Sequence, residues 1–283
     1  MGGSFAARWI HGSADCASNT DPPLQVHSFD ESTFILRENK CLNYEGNFIY
    51  LLFGKRKALL LDTGSAPPQS VTLPLRKVVD KLITKRAAAT HTPPVELVVA
   101  HTHGHLDHIF ADYQFVERPG TIVIEPGVAA VREFFKLKGW PDCRSTFDLG
   151  GHMLSIIPTP GHEESHIAIY DKRTRIMFTG DMLYAGLLTV EDWHAFRESA
   201  RRLARFAESH AVSYVLGCHI EMKREPRQLY PIGTTYQPEE HVLQLGARAI
   251  FQLRDACEAM GDDAREDVHD EFIIHLKEGA LLS

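Results

Sequence analysis

Thr-His-Gly-His-Leu-Asp-His at residues 102–108 is the most informative segment of this chain. It carries four side chains that commonly bind metals, namely His103, His105, Asp107 and His108. The segment directly follows the apolar run 95–100, which predicts a buried strand. Imidazole and carboxylate groups suit borderline-soft divalent ions, zinc above all. A strand that ends in such a segment delivers the ligands to the rim of a sheet, where a metal site is open to solvent.

The histidines here are too dense to be ordinary surface residues. The chain has 16 histidines in 283 residues, and four of them fall within 101–108. Both His101-x-His103 and His103-x-His105 have the spacing of metal ligands. Only the second pair is followed, two residues on, by a carboxylate with a histidine beside it. The spacing therefore favours His103 and His105 as ligands and leaves His101 either next to a ligand or at the surface, with the surface favoured.

Size and composition are typical of a globular protein, and the net charge is not typical of one that binds nucleic acid. A chain of 283 residues can bury a large core, and 44% hydrophobic and 24% charged residues are ordinary for such proteins. The net charge of −7 argues against a broad phosphate-binding face, so we expect a small-molecule substrate and no nucleic acid. No stretch approaches the roughly 20 apolar residues of a membrane span. The sequence leaves a homo-oligomer open.

The cysteines and the N-terminus bear on the cellular compartment. Five widely spaced cysteines form no Cys-x-x-Cys pair, so neither a disulfide framework nor a thiolate zinc site is indicated. We expect reduced thiols in a cytoplasmic protein, with a Cys16–Cys41 disulfide as the alternative. The N-terminus has no apolar segment of the kind that a secretory signal needs. Gly2-Gly3-Ser4 is typical of an engineered terminus, so replacement of an export signal there stays open.

Strands and helices alternate along the chain, which predicts one continuous α/β domain over 31–283 after an irregular, polar arm over 1–30. We expect strands at 48–53, 58–61, 95–100, 121–124, 153–157, 166–170, 175–179 and 214–217. We expect helices at 70–88, 128–137, 191–210, 238–259 and 263–280.

Further candidate ligands follow other predicted strands. His162, Asp181 and His219 each come at or just after a strand end, as His103 does. Taken singly these are weak signals, because Asp181 could cap a helix and His219 could be a packed histidine. Strand ends in an α/β sheet converge on one edge, which is the usual place for a site. The four positions together therefore predict a single site.

These motifs resemble the metallo-β-lactamase superfamily. The matching elements are Leu-Leu-Asp-Thr-Gly at 60–64, His-x-His-x-Asp-His at 103–108, Thr-Pro-Gly-His at 159–162, Phe-Thr-Gly-Asp at 178–181 and the histidine at 219. The resemblance implies a four-layer αβ/βα sandwich, with two mixed sheets between helix layers and a dinuclear site at the sheet edge. It implies that one metal is held by His103, His105 and His162, that the other is held by Asp107, His108 and His219, and that Asp181 bridges both.

The resemblance also implies an activity, that of a dinuclear hydrolase in which a metal-bridging hydroxide attacks a small ester, lactone or thioester carbonyl. Two metals about 3.5–4 Å apart can share a hydroxide and clamp an oxyanion, and metal-bound water has a pKa near 7. Asp107 would then be catalytic as well as a ligand, because it can orient the hydroxide. We expect two divalent ions, zinc first, with iron or manganese as alternatives.

Within the superfamily, the residues favour the branch of glyoxalase II and the lactonases. The bridging Asp181 argues against a true β-lactamase, which usually carries another residue there, and His105 argues against the di-iron flavoproteins. Net acidity argues against the nuclease branches. The remaining alternatives are a mononuclear iron persulfide dioxygenase, a phosphodiesterase, and a metal-binding sensor without turnover.

A second catalytic residue comes from the same resemblance. Tyr184, three residues after Asp181, is similar to the lactonase tyrosine that donates a hydrogen bond to the substrate carbonyl, which would stabilise the oxyanion. The alternative is that Tyr184 only packs. Glu163 and His166 either orient His162 or are exposed polar residues, with exposure favoured.

The loop 221–237 follows the last ligand and is rich in proline and glycine, which predicts an ordered irregular segment. It either walls a substrate pocket, with Tyr230 and Tyr236 in the wall and Arg224 or Arg227 for an anionic group, or packs on the C-terminal helices. We expect Cys218, beside His219, to be a small buried residue.

Overall fold

A computed structural model describes residues 3–67 and 71–281. The α-helices are α1 (Leu75–Thr90), α2 (Leu106–Ile109), α3 (Val128–Phe135), α4 (Trp193–Ser209) and α5 (Arg248–Met260). The strands are β1 (Leu24–Ser28), β2 (Thr33–Glu38), β3 (Phe48–Phe53), β4 (Lys57–Leu61), β5 (Glu96–Ala100), β6 (Thr121–Val123), β7 (Ser145–Asp148), β8 (Met153–Pro158), β9 (Ile167–Asp171), β10 (Ile176–Gly180), β11 (Leu187–Asp192), β12 (Tyr214–Gly217), β13 (Gln244–Gly246), β14 (Asp267–Val268) and β15 (Ile273–Leu281).

Two six-stranded mixed sheets dominate the architecture. The first has the order β1-β2-β3-β4-β5-β6, antiparallel up to β4 and parallel from there to β6. The second has the order β13-β12-β10-β9-β8-β7, in which only β10 and β12 run parallel. A third, three-stranded sheet joins β11, β15 and β14. Parallel neighbours end at the same edge, so the ends of β4 and β5 in one sheet and of β10 and β12 in the other carry adjacent loops.

Alternation of side chains along the strands builds three apolar layers. Residues such as Tyr50, Val98 and Phe178 lie between the two sheets. The alternate residues of the first sheet pack on α1 and the segment around Phe115. Those of the second sheet pack on α4, α5 and the third sheet. Strands buried on both faces explain why β3, β9 and β10 read as continuous apolar runs. The order helix, sheet, sheet, helix is the predicted four-layer sandwich.

The N-terminal arm is more ordered than expected. Strand β1 begins at Leu24, inside the segment predicted as irregular, and pairs with β2. Upstream, Trp9 packs edge-on against Phe48, and Phe5 contacts Phe29. Cys16 and Cys41 form a disulfide, so the expectation of reduced thiols is wrong for this pair.

The C-terminal region corrects two predicted helices. The helix expected at 238–259 starts only at Arg248, because residues 244–246 pair as β13 with β12. The helix expected at 263–280 is absent from the described residues: β14 and β15 occupy that region, and β15 runs parallel to β11. The β-branched Ile273–Ile274 pair and Gly279 favour an extended chain over a helix.

None of the helices in the described part of the chain combines the length and the apolar character that crossing a bilayer requires.

Candidate metal centre

The strand ends deliver the candidate ligands to one edge of the sandwich. His103 and His105 follow β5, Asp107 and His108 lie on the short helix α2, and His162 lies in the loop after β8. Asp181 follows β10 directly, and His219 comes two residues after β12. Gly180 turns the chain with φ 50°, and a Cβ there would lie 2.7 Å from His166 Nε2 and from Thr102 Cβ. Only glycine therefore lets the strand end approach the 102–108 segment so closely.

The first group consists of His103, His105 and His162. His103 Nε2 lies 3.0 Å from His105 Nδ1, and His162 Nε2 lies 3.2 Å from His103 Nε2 and 3.1 Å from His105 Nδ1. A tetrahedral zinc ion with bonds of about 2.0–2.1 Å sets its ligand atoms about 3.3 Å apart. Three nitrogens aimed at one another at this spacing therefore fit a shared ion.

The second group consists of Asp107, His108, Asp181 and His219. His108 Nε2 lies 3.1 Å from Asp107 Oδ2 and 3.4 Å from His219 Nε2. His219 Nε2 lies 3.4 Å from Asp107 Oδ2 and 3.3 Å from Asp181 Oδ2. Two imidazoles and two carboxylates at this spacing form a mixed nitrogen and oxygen donor set of the kind that binds zinc, iron or manganese.

Asp181 lies between the two groups. Its Oδ2 atom is 3.5 Å from His108 Nε2 in the second group and 3.7 Å from His162 Nε2 in the first. Its other oxygen, Oδ1, is buried without a hydrogen-bond partner among the described residues. A buried carboxylate oxygen without a donor is costly unless a cation satisfies it. The residues present therefore fit a metal on each side of Asp181.

The candidate ligands strongly shift one another's pKa. Burial alone would raise the pKa of Asp181, but the nearby His219 and His108 outweigh burial and hold it well below its usual range. Asp107 behaves in the same way, with His108 and His219 lowering its pKa. Burial, His108 and His162 lower the pKa of His103 well below its usual range. Burial alone would lower the pKa of His108 and His219, but Asp107 and Asp181 outweigh burial and raise both well above the usual value. Ionised carboxylates and neutral imidazoles are the forms that bind metals, so an ion in the second group would displace protons from these two histidines.

Buried groups behind the ligands hold them in place. Asp62, at the end of β4, accepts hydrogen bonds from the Thr102 backbone N–H at 2.7 Å and from Cys218 Sγ at 3.1 Å, and its Oδ2 lies 3.3 Å from His108 Nδ1. His162 Nδ1 lies 2.7 Å from the Thr189 carbonyl oxygen. Such partners fix the ring orientation of a ligating histidine. The Asp-Thr-Gly motif at 62–64 was the sequence signal for Asp62, whereas nothing in the sequence pointed to Thr189.

Two histidines that the sequence favoured as surface residues are buried. His101 is only 3% exposed, and its Nε2 atom lies 2.9 Å from Asp112 Oδ1. His166 is fully buried, and its Nε2 accepts a hydrogen bond from the Asp181 backbone N–H at 3.2 Å. His166 therefore lies behind Asp181, and the prediction of exposure was wrong for both. Glu163 is half-buried and accepts hydrogen bonds from the Ser165 backbone and hydroxyl.

Tyr184 lies beside the second group, with its ring centroid 5.6 Å from that of His219. Its hydroxyl lies 2.8 Å from the Leu187 carbonyl oxygen and 2.9 Å from Glu221 Oε2. Burial, followed by Glu221 and Asp181, raises the pKa of Tyr184 well above its usual value, so the hydroxyl keeps its proton. The hydroxyl can donate a hydrogen bond, and in this structure its acceptors are the Leu187 carbonyl oxygen and Glu221.

The loop after the last ligand joins both the arm and the C-terminal region. Tyr236 contacts His11 of the arm, and the Gln237 backbone N–H donates to the His11 carbonyl at 2.9 Å. Arg227 pairs with Asp270 on the surface. Tyr230 lines a small cavity with Tyr44, Glu45 and Glu221. The loop thus packs on neighbouring segments.

A larger cavity of about 430 Å³ adjoins the first group. Gly161, next to His162, lines it, as does Glu191, whose Oε1 lies 3.4 Å from His105 Nε2. Its other walls come from the start of α4 and from the end of β15. Volumes of this order accommodate small molecules.

Comparison with known proteins gives consistent matches. The family model described as the metallo-beta-lactamase superfamily matches residues 43–219. Hydroxyacylglutathione hydrolase of Rhizobium meliloti (strain 1021) is 30% identical over 130 residues, which are 45% of this chain and 47% of that protein. The acyl-coenzyme A thioesterase MBLAC2 of Bos taurus is 25% identical over 223 residues, covering 66% of this chain and 77% of that protein. The chain thus spans about half the length of the first relative and about three quarters of the second.

Solved structures match the fold over most of the chain. A metallo-beta-lactamase from Pontibacter korlensis aligns with a TM-score of 0.52 and 19% identity, covering 83% of this chain and 99% of that one. FIM-1 from Pseudomonas aeruginosa, in its mono-zinc form, aligns with a TM-score of 0.52 and 16% identity, covering 85% and 97%. At these identities the likeness concerns the fold alone.

Proposed function

Because the chain belongs to the metallo-beta-lactamase superfamily, we propose that it is a dinuclear metal-dependent hydrolase of a small ester, lactone or thioester. The observation that carries the proposal is the position of Asp181 Oδ2, which lies 3.3 Å from His219 Nε2 on one side and 3.7 Å from His162 Nε2 on the other. A carboxylate between two donor clusters supports a pair of ions that share one ligand. The imidazole-rich donor set favours zinc, with iron or manganese as alternatives.

Among the three substrate classes, the relatives favour a thioester. Their names are hydroxyacylglutathione hydrolase and acyl-coenzyme A thioesterase, and an acylglutathione and an acyl-coenzyme A are both thioesters. We infer that this chain hydrolyses an acyl group attached to a thiol or a similar leaving group.

Bound ions would supply a nucleophile from water at neutral pH and would polarise the substrate carbonyl. The exposure of the ligand side chains indicates the side from which substrate arrives. The side chains of His105 and Asp107 are 35% and 29% exposed, whereas that of His108 is fully buried and that of His219 is 2% exposed. We propose that substrate approaches over His105 and Asp107. The ionised Asp107 carboxylate can accept a hydrogen bond from water there and so orient it.

Tyr184 is the second proposed catalytic residue. Its hydroxyl could donate to the substrate oxyanion only by leaving the Leu187 carbonyl oxygen and Glu221. A positioning role beside His219 needs no such rearrangement. Either role predicts a smaller loss on removal of the hydroxyl than on removal of a metal ligand.

The geometry also bears on the alternatives. The second group offers four donors around one point, which supports two ions rather than the single iron of a persulfide dioxygenase. Glu163, Glu191 and Glu278 line the cavity beside the first group, and the Lys277 that also lines it pairs with Glu191. The acidic groups thus outnumber the basic one, which disfavours a phosphodiester at that position. The exposure of His105 and Asp107 leaves the centre accessible, which supports turnover over a closed, purely structural metal site.

The experiment is a substrate panel on zinc-loaded protein: acylglutathione and acyl-coenzyme A thioesters, lactones, a β-lactam and a bis-nitrophenyl phosphate. We expect thioester hydrolysis that His105→Ala, His108→Ala and Asp181→Asn each abolish. His194→Ala, an exposed position on α4, is the matched control and should retain activity. Turnover of phosphodiester alone, or oxygen consumption with one bound iron, would overturn the proposal.

A further inference from the structure

The connection between β2 and β3, residues 39–47, lies against the second group of ligands. Asn47 Nδ2 donates a hydrogen bond of 2.9 Å to the backbone carbonyl of Asp107. Two residues earlier, the Glu45 carbonyl oxygen lies 3.4 Å from His219 Nδ1. One loop therefore touches two residues of the second group, one through its backbone and the other through its ring.

Asn47 is held on both sides, so its amide has one orientation. The residue is fully buried. Its Oδ1 atom accepts a hydrogen bond from the Ser65 hydroxyl, and the Ser65 backbone N–H donates to the Glu38 carboxylate at 3.1 Å. The Glu38 backbone N–H in turn donates to the Asn47 carbonyl at 2.9 Å. A flipped amide would turn its oxygen toward the Asp107 carbonyl, where two acceptors repel each other. The network therefore aims the Asn47 NH₂ group at the backbone of Asp107.

The first group has different supports. His162 is held by the Thr189 carbonyl oxygen, and His105 lies near Glu191. Among the described residues, the side-chain hydrogen bonds of His103, His105 and His162 do not reach the 39–47 loop. The two groups share one support, since Thr102 Oγ1 lies 3.1 Å from His103 Nδ1 and 3.4 Å from His108 Nδ1. Among the described residues, the contacts to the 39–47 loop come from the second group.

We infer that Asn47 is a positioning residue for the second of the two proposed ions. It fixes the backbone of Asp107 so that the carboxylate stays 3.1 Å from His108 Nε2 and 3.4 Å from His219 Nε2. The inference rests on the proposed dinuclear function. It adds that the affinity of the second ion depends on Asn47, a residue outside the ligand set, whereas the affinity of the first ion does not depend on Asn47.

The test is stepwise removal of zinc from the loaded protein with a chromophoric chelator, which measures the two affinities separately. We expect Asn47→Leu to leave the first affinity within twofold of wild type and to weaken the second about ten- to hundredfold, the usual effect of losing a group that orients a ligand. Asn47→Asp, which keeps the size of the side chain but loses the donor, should give the same selective loss even if the leucine variant folds poorly.

The matched control is Asn39→Leu in the same loop. Asn39 is equally buried, but its amide donates to Asp21 and Pro22 carbonyl oxygens in the arm and not to the α2 segment. Its loss should lower the melting temperature and leave both zinc affinities unchanged. A wild-type chain that binds a single ion would overturn the dinuclear function and this inference together. Two ions in the wild type with an equal effect of Asn47→Leu on both, or no effect on the second, would overturn the inference alone.

Discussion

The Cys16–Cys41 disulfide makes a quantitative prediction about stability. It joins the N-terminal arm to the 39–47 loop across a sequence separation of 25 residues. Closing a loop of that length in the unfolded chain removes entropy worth about 3.5 kcal/mol at 25 °C. At about 2.1 cal/mol/K per residue, unfolding 283 residues has an entropy near 0.6 kcal/mol/K. The paired substitution Cys16→Ser with Cys41→Ser should therefore lower the melting temperature by about 6 °C.

The assay is thermal unfolding with and without reductant, together with a thiol count. Reductant should lower the melting temperature of the wild type by the same amount and should not change that of the double variant. Denatured, unreduced wild type should show three reactive thiols, from Cys143, Cys218 and Cys257, and two more after reduction. Five thiols without reductant would show that Cys16 and Cys41 are not joined, and equal melting temperatures for the two proteins would show that the disulfide does not stabilise the fold.

Three further predictions concern single side chains. Tyr184→Phe should lower kcat/KM for thioester or lactone far less than His105→Ala does, and an unchanged value would exclude an oxyanion role for the hydroxyl. Glu240→Gln should cost about 3–5 kcal/mol in chemical denaturation because it leaves the charge of the fully buried Arg37 uncompensated. Asp270→Asn, at the exposed pair with Arg227, should cost less than about 1 kcal/mol, and equal losses would contradict this ranking. Burial raises the pKa of Glu38 from 4.5 to about 8, so the folded state keeps a proton that the unfolded state loses. The wild type should therefore lose stability relative to Glu38→Gln as the pH rises from about 4.5 to 8, and a constant difference in the free energy of unfolding would contradict the shift.

Much of the fold followed from local patterns in the sequence. The predictions of the fold class and the family are confirmed. The prediction of a superfamily enzyme is confirmed too, since relatives of the chain are hydrolases. Strands such as β3, β5 and β10 are buried on both faces, so their apolar runs stand out. The segment 103–108 and Asp181 were visible because they follow two such strands, and His162 and His219 because they follow β8 and β12. Their roles as ligands, and a single domain over 31–283, stay predictions.

What the sequence missed depends on contacts between distant segments. Strand β15 pairs with β11, and the paired residues Leu187 and Ile273 are 86 positions apart. A local sequence pattern does not predict a pairing partner at that distance. His101 is buried against the Asp112 carboxylate, and His166 is buried where it accepts a hydrogen bond from the Asp181 backbone N–H. Both contacts form only once the chain has folded. The disulfide likewise needs the arm to reach the 39–47 loop. The cytoplasmic location stays a prediction.

If two ions share Asp181, the metal content per chain is two, and elemental analysis measures it. Zinc-loaded wild type should contain two ions per chain. His105→Ala should lose the ion of the first group and His108→Ala that of the second, so that each variant retains about one ion, whereas His194→Ala should retain both. A wild type that binds only one ion at saturating zinc would contradict a dinuclear centre. Ligand variants that keep both ions would contradict the assignment of the ligands.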